Sequence, residues 1–422
     1  MTRGFGIRLA SAAAVAALAA ASLTGCGSGG GGDGATELSF LMWGDGGDNQ
    51  KAYENVIAAF EEANPDVTVN AEFVNTNDYD NVLKTRLSGG AGPDVYGFDP
   101  KNLTDFIQDG FAADLSETAF LGRLNEAAAL EATRDSGGEG AYYVPISQSG
   151  NGIIYNTALF EQAGIDEIPQ TYTELKDAAE KLSAAGIVPF AMSAQDSWWP
   201  QFIAYYAMAQ HVFPDAPDII DELLAGETSF AATPGYESAL DVVAELVPYY
   251  MPDPVGTNQS AAKTAFLSGK AAMFPATWIL SDARAAGVDP GYMNFPTLDA
   301  DVADMWGSYL VAWGINPGND KVDAAERFID FFFEDDVYTE FLTGVKAFPV
   351  TEGVDVSSVD PLFGDMEAAW QGKTFRPMVL PAHPQLQETL LVGMQNLIAG
   401  RTDSAAVITE LDVTLDEIRA SR

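Results

Sequence analysis

Five of the chain's seven tryptophans stand at the ends of apolar runs beside glycine, serine or aspartate. Trp43 precedes "GDGG", Trp198 and Trp199 follow "VPFAM", Trp278 ends "AAMFPATW", and Trp306 precedes "GSYLVAW". An indole is a flat apolar plate with one N–H donor, so such rings stack on C–H faces while nearby carboxylates and amides exchange hydrogen bonds with hydroxyls. A sugar needs that combination to be held without being altered. Each of the five has two readings, a plate in a cleft or a ring in a core. Placement at a strand end favours the cleft, because open α/β sheets present ligands beyond their strand ends. Trp313, inside an apolar strand, and Trp370, on a helix, read as structural.

Polar residues near these rings complete the candidate set. Asp45 either binds hydroxyls or shapes the turn after Trp43, and Asp196 adjoins the Trp198–Trp199 pair. Arg376 in "TFRPM" either reaches a cleft or makes a surface salt bridge, and Asp94 in "PDV" reads as fixing the entrance to a strand. The clusters "DGGDN" (45–49) and "NTNDYDN" (75–81) lack the spacing of a calcium loop and read as helix caps. A single cysteine excludes an internal disulfide and a cysteine-built metal centre, and His211 and His383 are far apart. No metal and no cofactor are expected.

Covalent chemistry finds little support. There is no G-x-S-x-G elbow, no H-E-x-x-H and no phosphate-binding loop. The acidic pairs Glu61/Glu62 and Asp335/Asp336 read as helix exteriors or ends. A secreted carbohydrate-active enzyme would need two carboxylates about 5 to 10 Å apart across the scissile bond. A binding protein for a polyamine, a metal or a phosphate ester would favour basic groups, helix N-termini or carboxylate clusters over aromatic plates. No catalytic residue is expected.

The elements that must position these residues follow from periodicity. "ELSFLMW" (37–43) reads as a strand, followed by a helix capped by Asp48 or Asn49 that carries Tyr53, Val56, Ile57 and Phe60 on one face. "DVTVNAEFV" alternates as a second strand, Asn77 or Asp78 caps a second helix, and Val95 to Phe98 forms a third strand. Strand alternating with helix is the pattern of a parallel sheet wrapped by helices. Further strands are expected at "YYVPI", "GIIYN", "VPFAM", "AAMFPATWIL" and "YLVAWGIN", with helices at 173–185 and 323–333 and a helical region from Gln201.

The formal net charge is −40, from 61 acidic and 21 basic side chains. Such a field repels phosphate backbones and anionic bilayers, so nucleic acid is not an expected partner. With 47% hydrophobic residues the chain has material for a large core. At the N-terminus, Arg3 and Arg8 precede "LASAAAVAALAAASL", which has the length of a signal-peptide core and is short for a membrane span. The residues "LTGC" resemble the lipobox of bacterial lipoproteins, which implies loss of residues 1–25 and a diacylglycerol on Cys26. "GSGGGGDG" then reads as a flexible tether spanning roughly 15 Å on average.

Six segments in order carry a wider resemblance: "PDVYGFD", "VPISQSGNGIIYNTALFEQAGI", "TYTELKDAAEKLSAAGIVPFAM", "AFLSGKAAMFPATW", "WGSYLVAWGINPGNDKVDAAERFIDFF" and "AFPV". Together they resemble the extracellular solute-binding proteins of ABC sugar importers, related to maltose-binding protein, from about Glu37 to Ile398. The resemblance implies an α/β fold of the two-lobe, type II periplasmic-binding kind, with solute in a cleft that closes by hinge motion. It places 1–25 as signal peptide, 26–35 as lipidated Cys26 and tether, 36–147 with 313–347 as the first lobe, and 152–307 with 348–422 as the second. Crossovers are expected at 148–151 and 308–312.

Residue by residue, Asp99 falls near the family's sugar-binding aspartate, Trp278 matches a stacking tryptophan, and Trp199 falls beside a proline as in the family. Gln148, Ser149 and Asn151 lie at the first crossover, where this chain offers amides and hydroxyls in place of a family carboxylate; Ser308 lies at the second. That departure tells against maltose itself. The expected partners are an oligosaccharide and a membrane permease, with the protein working as a monomer, anchored through Cys26 on the extracellular face of the cytoplasmic membrane.

Overall fold

The computed structural model describes residues 35–421 apart from 45, 100–101, 126–127, 130–131, 134–139, 149–151, 299–303, 307–309, 319, 371–373, 377–379 and 381–382. Two main sheets organise it. The first is ordered β2-β1-β3-β10-β4, from Thr36–Trp43 (β1), Val67–Val74 (β2), Val95–Phe98 (β3), Val144–Gln148 (β4) and Leu310–Ile315 (β10). The second is ordered β6-β7-β5-β8, from Ile153–Asn156 (β5), Val188–Phe190 (β6), Ala271–Phe274 (β7) and Pro290–Met293 (β8). A small parallel pair joins Asp304–Trp306 (β9) to Thr374–Arg376 (β11).

The first sheet forms as its periodicity demands. β1 pairs in parallel with β2 and β3, while β10 returns antiparallel between β3 and β4. The helix Gly47–Ala63 (α1) lays Tyr53, Val56, Ile57 and Phe60 against this sheet as a buried stripe. Trp313 of β10 is fully buried there, stacked on Phe328 at 5.5 Å and edge-on to Phe40 at 5.4 Å. At the entrance to β3, Asp94 Oδ2 accepts from both the backbone N–H and the hydroxyl of Ser39 at 2.6 Å, and Lys321 Nζ lies 3.3 Å away. Asp94 fixes the strand entrance, as its "PDV" setting predicts.

Local detail departs from expectation in three places. The first residue outside α1 is Gly46, with no side-chain cap, rather than Asp48 or Asn49; φ of 82° there suits a residue without Cβ. The helix Thr76–Ser88 (α2) is capped by Asn75, whose side chain accepts from the Asn77 N–H, rather than by Asn77 or Asp78. "AAMFPATWIL" is a strand only through Phe274, because Pro275 has no N–H for a ladder; a 3-10 turn (Thr277–Ile279) and a helix (Leu280–Ala285) follow.

The chain passes from the first sheet to the second between Gln148 and Ile153. Gly152 has φ of 113°, and an added Cβ would lie 2.5 Å from the Met293 carbonyl oxygen, so this crossing requires glycine. The Tyr206 hydroxyl clamps it, accepting from Gly152 N–H at 3.0 Å and donating to its carbonyl at 3.1 Å. Gln148 is the meeting point of the crossings: it pairs with Leu310 of β10, and it exchanges backbone hydrogen bonds of 3.0 and 2.8 Å with Phe348. The C-terminal helices Pro384–Ile398 and Ser404–Ser421 pack on the helix Pro234–Leu246. No described helix is long and apolar enough to cross a membrane.

Candidate functional site

One wall is built on the first sheet by Trp43, the last residue of β1. Its half-buried ring lies on the backbone of Gly97 in β3; a Cβ on Gly97 would come within 2.7 Å of the indole and 2.6 Å of the Met42 sulfur. Tyr79 of α2 meets the ring edge-on at 5.2 Å. The Tyr79 hydroxyl donates to the carbonyls of Leu41 and Gly97, at 3.1 and 2.8 Å, locking α2 to the two strands that carry the plate. Burial pushes the Tyr79 phenol well above its ordinary value, so it stays a neutral donor.

A second candidate wall follows β6 and β7 of the second sheet. Trp199 is fully buried among Trp198 (5.6 Å), Phe202 (5.2 Å), Phe274 (4.8 Å) and Trp278 (5.7 Å). Trp198 and Trp278 flank it and remain half-buried. Lys263 lies 6.0 Å from the Trp278 ring and pairs with Asp282 at 2.7 Å. The helix Gln201–His211 continues from the tryptophan pair, and β9 lies against it. Through the β9–β11 ladder the backbones of Trp306 and Arg376 are direct neighbours.

Polar atoms join the walls. Asp196 Oδ2 accepts from the backbone N–H of Gln259, in the first turn of the helix Gln259–Leu267, at 2.6 Å. Its other oxygen accepts from Asn77 Nδ2 at 2.9 Å, and Asn77 Oδ1 accepts from the indole N–H of Trp198 at 3.1 Å. The first turn of α2 therefore supports Trp43 through Tyr79 and holds Trp198 through Asn77. Two buried donors beside the second wall, Trp199 Nε1 and Gln259 Nε2, have no hydrogen-bond partner among the described residues.

The candidates named from sequence are distributed as follows. Trp43, Asp196, Trp198 and Trp278 line or adjoin the two walls. Trp199, expected as an exposed plate, is instead the buried centre of the aromatic cluster, because four large rings close around it. Asp99 is half-buried just past β3, its carbonyl accepting from the Asn102 N–H at 2.9 Å. Gln148 is half-buried at the crossing described above. Trp306 and Arg376 are described through their backbones, and Asp45, Ser149, Asn151, Ser308 and Cys26 lie outside the described residues.

Asn77 and Tyr79 are not among those candidates, since "NTNDYDN" reads as capping. A usable signal exists: the segment follows a strand end just as the tryptophans do, and the strand-end rule applies to amides as well as rings. Trp370, read as structural, donates to the Tyr292 hydroxyl at 2.7 Å and packs on Phe348 at 4.7 Å. No group of three or more His, Cys, Asp or Glu among the described residues gathers as a metal site. A cavity of about 430 Å³ lies elsewhere, between α1 and the helices Leu280–Ala285 and Asp335–Val345. Its basic groups include Arg284, bound to Asp360, and Lys346, which donates to the Val359 carbonyl at 2.7 Å.

Two sheets are thus linked by crossing segments, with aromatic residues at their strand ends. The family model for bacterial extracellular solute-binding proteins matches residues 17–339. The chain belongs to that family. A binding-protein relative from Brucella abortus (strain 2308) is 24% identical over 384 residues, 87% of this chain and 89% of the other. The melibiose/raffinose/stachyose-binding protein MelE of Bacillus subtilis (strain 168) is 29% identical over 158 residues, 36% of this chain and 35% of that one. In structure, a chitin oligosaccharide binding protein superposes with a TM-score of 0.78 at 21% identity, over 91% of this chain and 99% of that one. This bacterial extracellular solute-binding protein has the two-lobe periplasmic-binding fold.

Proposed function

We propose that this solute-binding protein captures an oligosaccharide outside the cell and delivers it to the permease of an ABC importer. The observation that carries the reading is the pair of aromatic walls, Trp43 on one and Trp198 with Trp278 on the other, bordered by amides and a carboxylate. Aromatic faces take the apolar face of a sugar ring, and Asn, Gln and Asp take its hydroxyls. The names of relatives point the same way, since MelE is named for melibiose, raffinose and stachyose and the structural neighbour for a chitin oligosaccharide.

Solute binding shifts the lobes from open to closed because the solute touches both walls only when they approach. The lobes are assigned as 36–147 with 313–347 and 152–307 with 348–422, and Asp99, Gln148, Ser149, Asn151, Trp306, Ser308 and Arg376 are assigned to the cleft lining. Asp45 is assigned there too, in the turn after Trp43. Cys26 carries the lipid that keeps the receptor at the extracellular face of the membrane, and the glycine tether lets it reach a permease.

The test is a thermal-shift screen of the protein lacking residues 1–34. Oligosaccharides are expected to raise the unfolding midpoint, since a ligand bound only by the folded state stabilises it. A rise with a polyamine or phosphate ester and none with any sugar overturns the sugar reading; turnover of a bound sugar would favour an enzyme. For the anchor, Cys26→Ser is expected to move the full-length protein from the membrane fraction to the medium. Retention of that variant on membranes counts against lipidation.

A further inference from the structure

We propose that Asn77 is a positioning residue that latches the two lobes and orients Trp198, a role that rests on the solute-receptor reading of the cleft. Its amide is used at both ends by the other lobe: Nδ2 donates to Asp196 at 2.9 Å and Oδ1 accepts from Trp198 at 3.1 Å. The three groups satisfy one another as acceptor, donor-acceptor and donor. Asp196, marked in the sequence as a sugar contact, has both oxygens engaged, one by Asn77 and one by Gln259 N–H. Its place is thus in the latch, and Trp198 is the group it helps to aim.

Topology gives this pair leverage. Asn77 follows β2, the strand of the first sheet farthest from β4, and Asp196 follows β6, the outer strand of the second. The crossings are at the opposite side, on β4 and β10, where Gln148, Leu310 and Phe348 meet. With strands about 4.8 Å apart, β2 stands roughly 14 Å from β10 and 19 Å from β4. A lobe rotation of about 10° then separates the latch by roughly 3 Å, enough to break both hydrogen bonds. Asn77 is solvent-exposed, so water can replace its partners as the lobes part. A bond that must open on each cycle suits such a site.

The chemistry supplies its own test. Asn77→Asp removes the donor and faces the Asp196 carboxylate with a second one. In the double variant Asn77→Asp/Asp196→Asn, the amide and the carboxylate exchange places. The amide now at position 196 would donate to the carboxylate at position 77 and accept from Gln259 N–H, while that carboxylate would still accept from the Trp198 indole. Ligand-free protein is measured by small-angle scattering for lobe separation and by acrylamide quenching of tryptophan fluorescence for exposure of Trp198.

Asn77→Asp is expected to lower the closed-to-open ratio about five- to tenfold, enlarging the radius and raising the quenching. The double variant is expected to return both readouts to parental values, which a general folding defect would not do. Parental radius and quenching in Asn77→Asp, or a double variant that stays open, overturns the latch. Neither readout uses a ligand, so a failure of the sugar screen leaves this test intact, and failure of the latch leaves the sugar screen standing.

Discussion

The two aromatic groups proposed as walls of the cleft are built on opposite plans. On the first, a single indole, Trp43, rests on bare backbone at Gly97 and is pinned by Tyr79 from α2. On the second, Trp199 fills the centre of a cluster and its neighbours Trp198 and Trp278 form the partly exposed rim. A plate laid on glycine depends on the absence of a methyl group, whereas a clustered plate depends on the presence of a ring behind it. The same residue type therefore fails in opposite ways: the first wall by adding an atom beneath it, the second by removing atoms at its centre.

The largest effect should come from Trp199→Ala, which empties the middle of the second wall and is expected to cost about 3–5 kcal/mol in urea unfolding. Trp43→Ala should leave the unfolding midpoint close to parental by comparison. Equal losses at the two positions would dissolve the contrast. Next comes Gly97→Ala, whose Cβ would press on Met42 and Trp43, at an expected cost of about 1–3 kcal/mol. That cost should be partly relieved when Trp43→Leu accompanies it. Overpacking that persists unchanged in the double variant would mean that Trp43 is not the ring displaced.

Trp43→Ala is a test of binding instead. Losing one aromatic face is expected to weaken capture of the sugar found by thermal shift about ten- to a hundredfold, read by calorimetry. The smallest effect concerns pH and the helix behind the second wall. Burial lowers the pKa of His211 below 6.5, with Asp241 opposing. As pH falls through 6.5 the unfolded chain takes up the proton first, so stability is intact above that value and declines below it. Urea midpoints at pH 7.5 and 5.5 should differ less in His211→Phe than in the parent; an unchanged difference assigns the decline to other groups.

Much of the fold is legible because strands and helices answer to neighbours in the sequence. Val95–Phe98 is bounded to the residue, and the helix expected at 173–185 forms at Tyr172–Ala184, where Thr171 and Glu174 make a reciprocal capping box. Trp313 is placed correctly as a structural ring, since it sits in an apolar run, while Trp370 is half-buried at its helix end against Phe348. The site is legible by region and less so by role. Trp199 cannot be told from Trp198 by position, because adjacent residues share every sequence cue and differ only in which way the backbone turns them. Asn77 is hidden for another reason: its function lies in two bonds to residues more than a hundred positions away.

By itself the sequence determined an α/β pattern and the aromatic residues placed after strand ends, which depend on periods of two or 3.6 residues and on turn chemistry within a few positions. The two-lobe fold and the family followed from the resemblance carried by six segments in order. Tertiary structure decided which tryptophan is buried and which is a rim, why Gly97 must be glycine, and that Asp196 meets Asn77. The first two outcomes depend on packing around each sheet separately, and the last on how one sheet stands against the other, across the crossings at Gln148, Gly152 and Phe348.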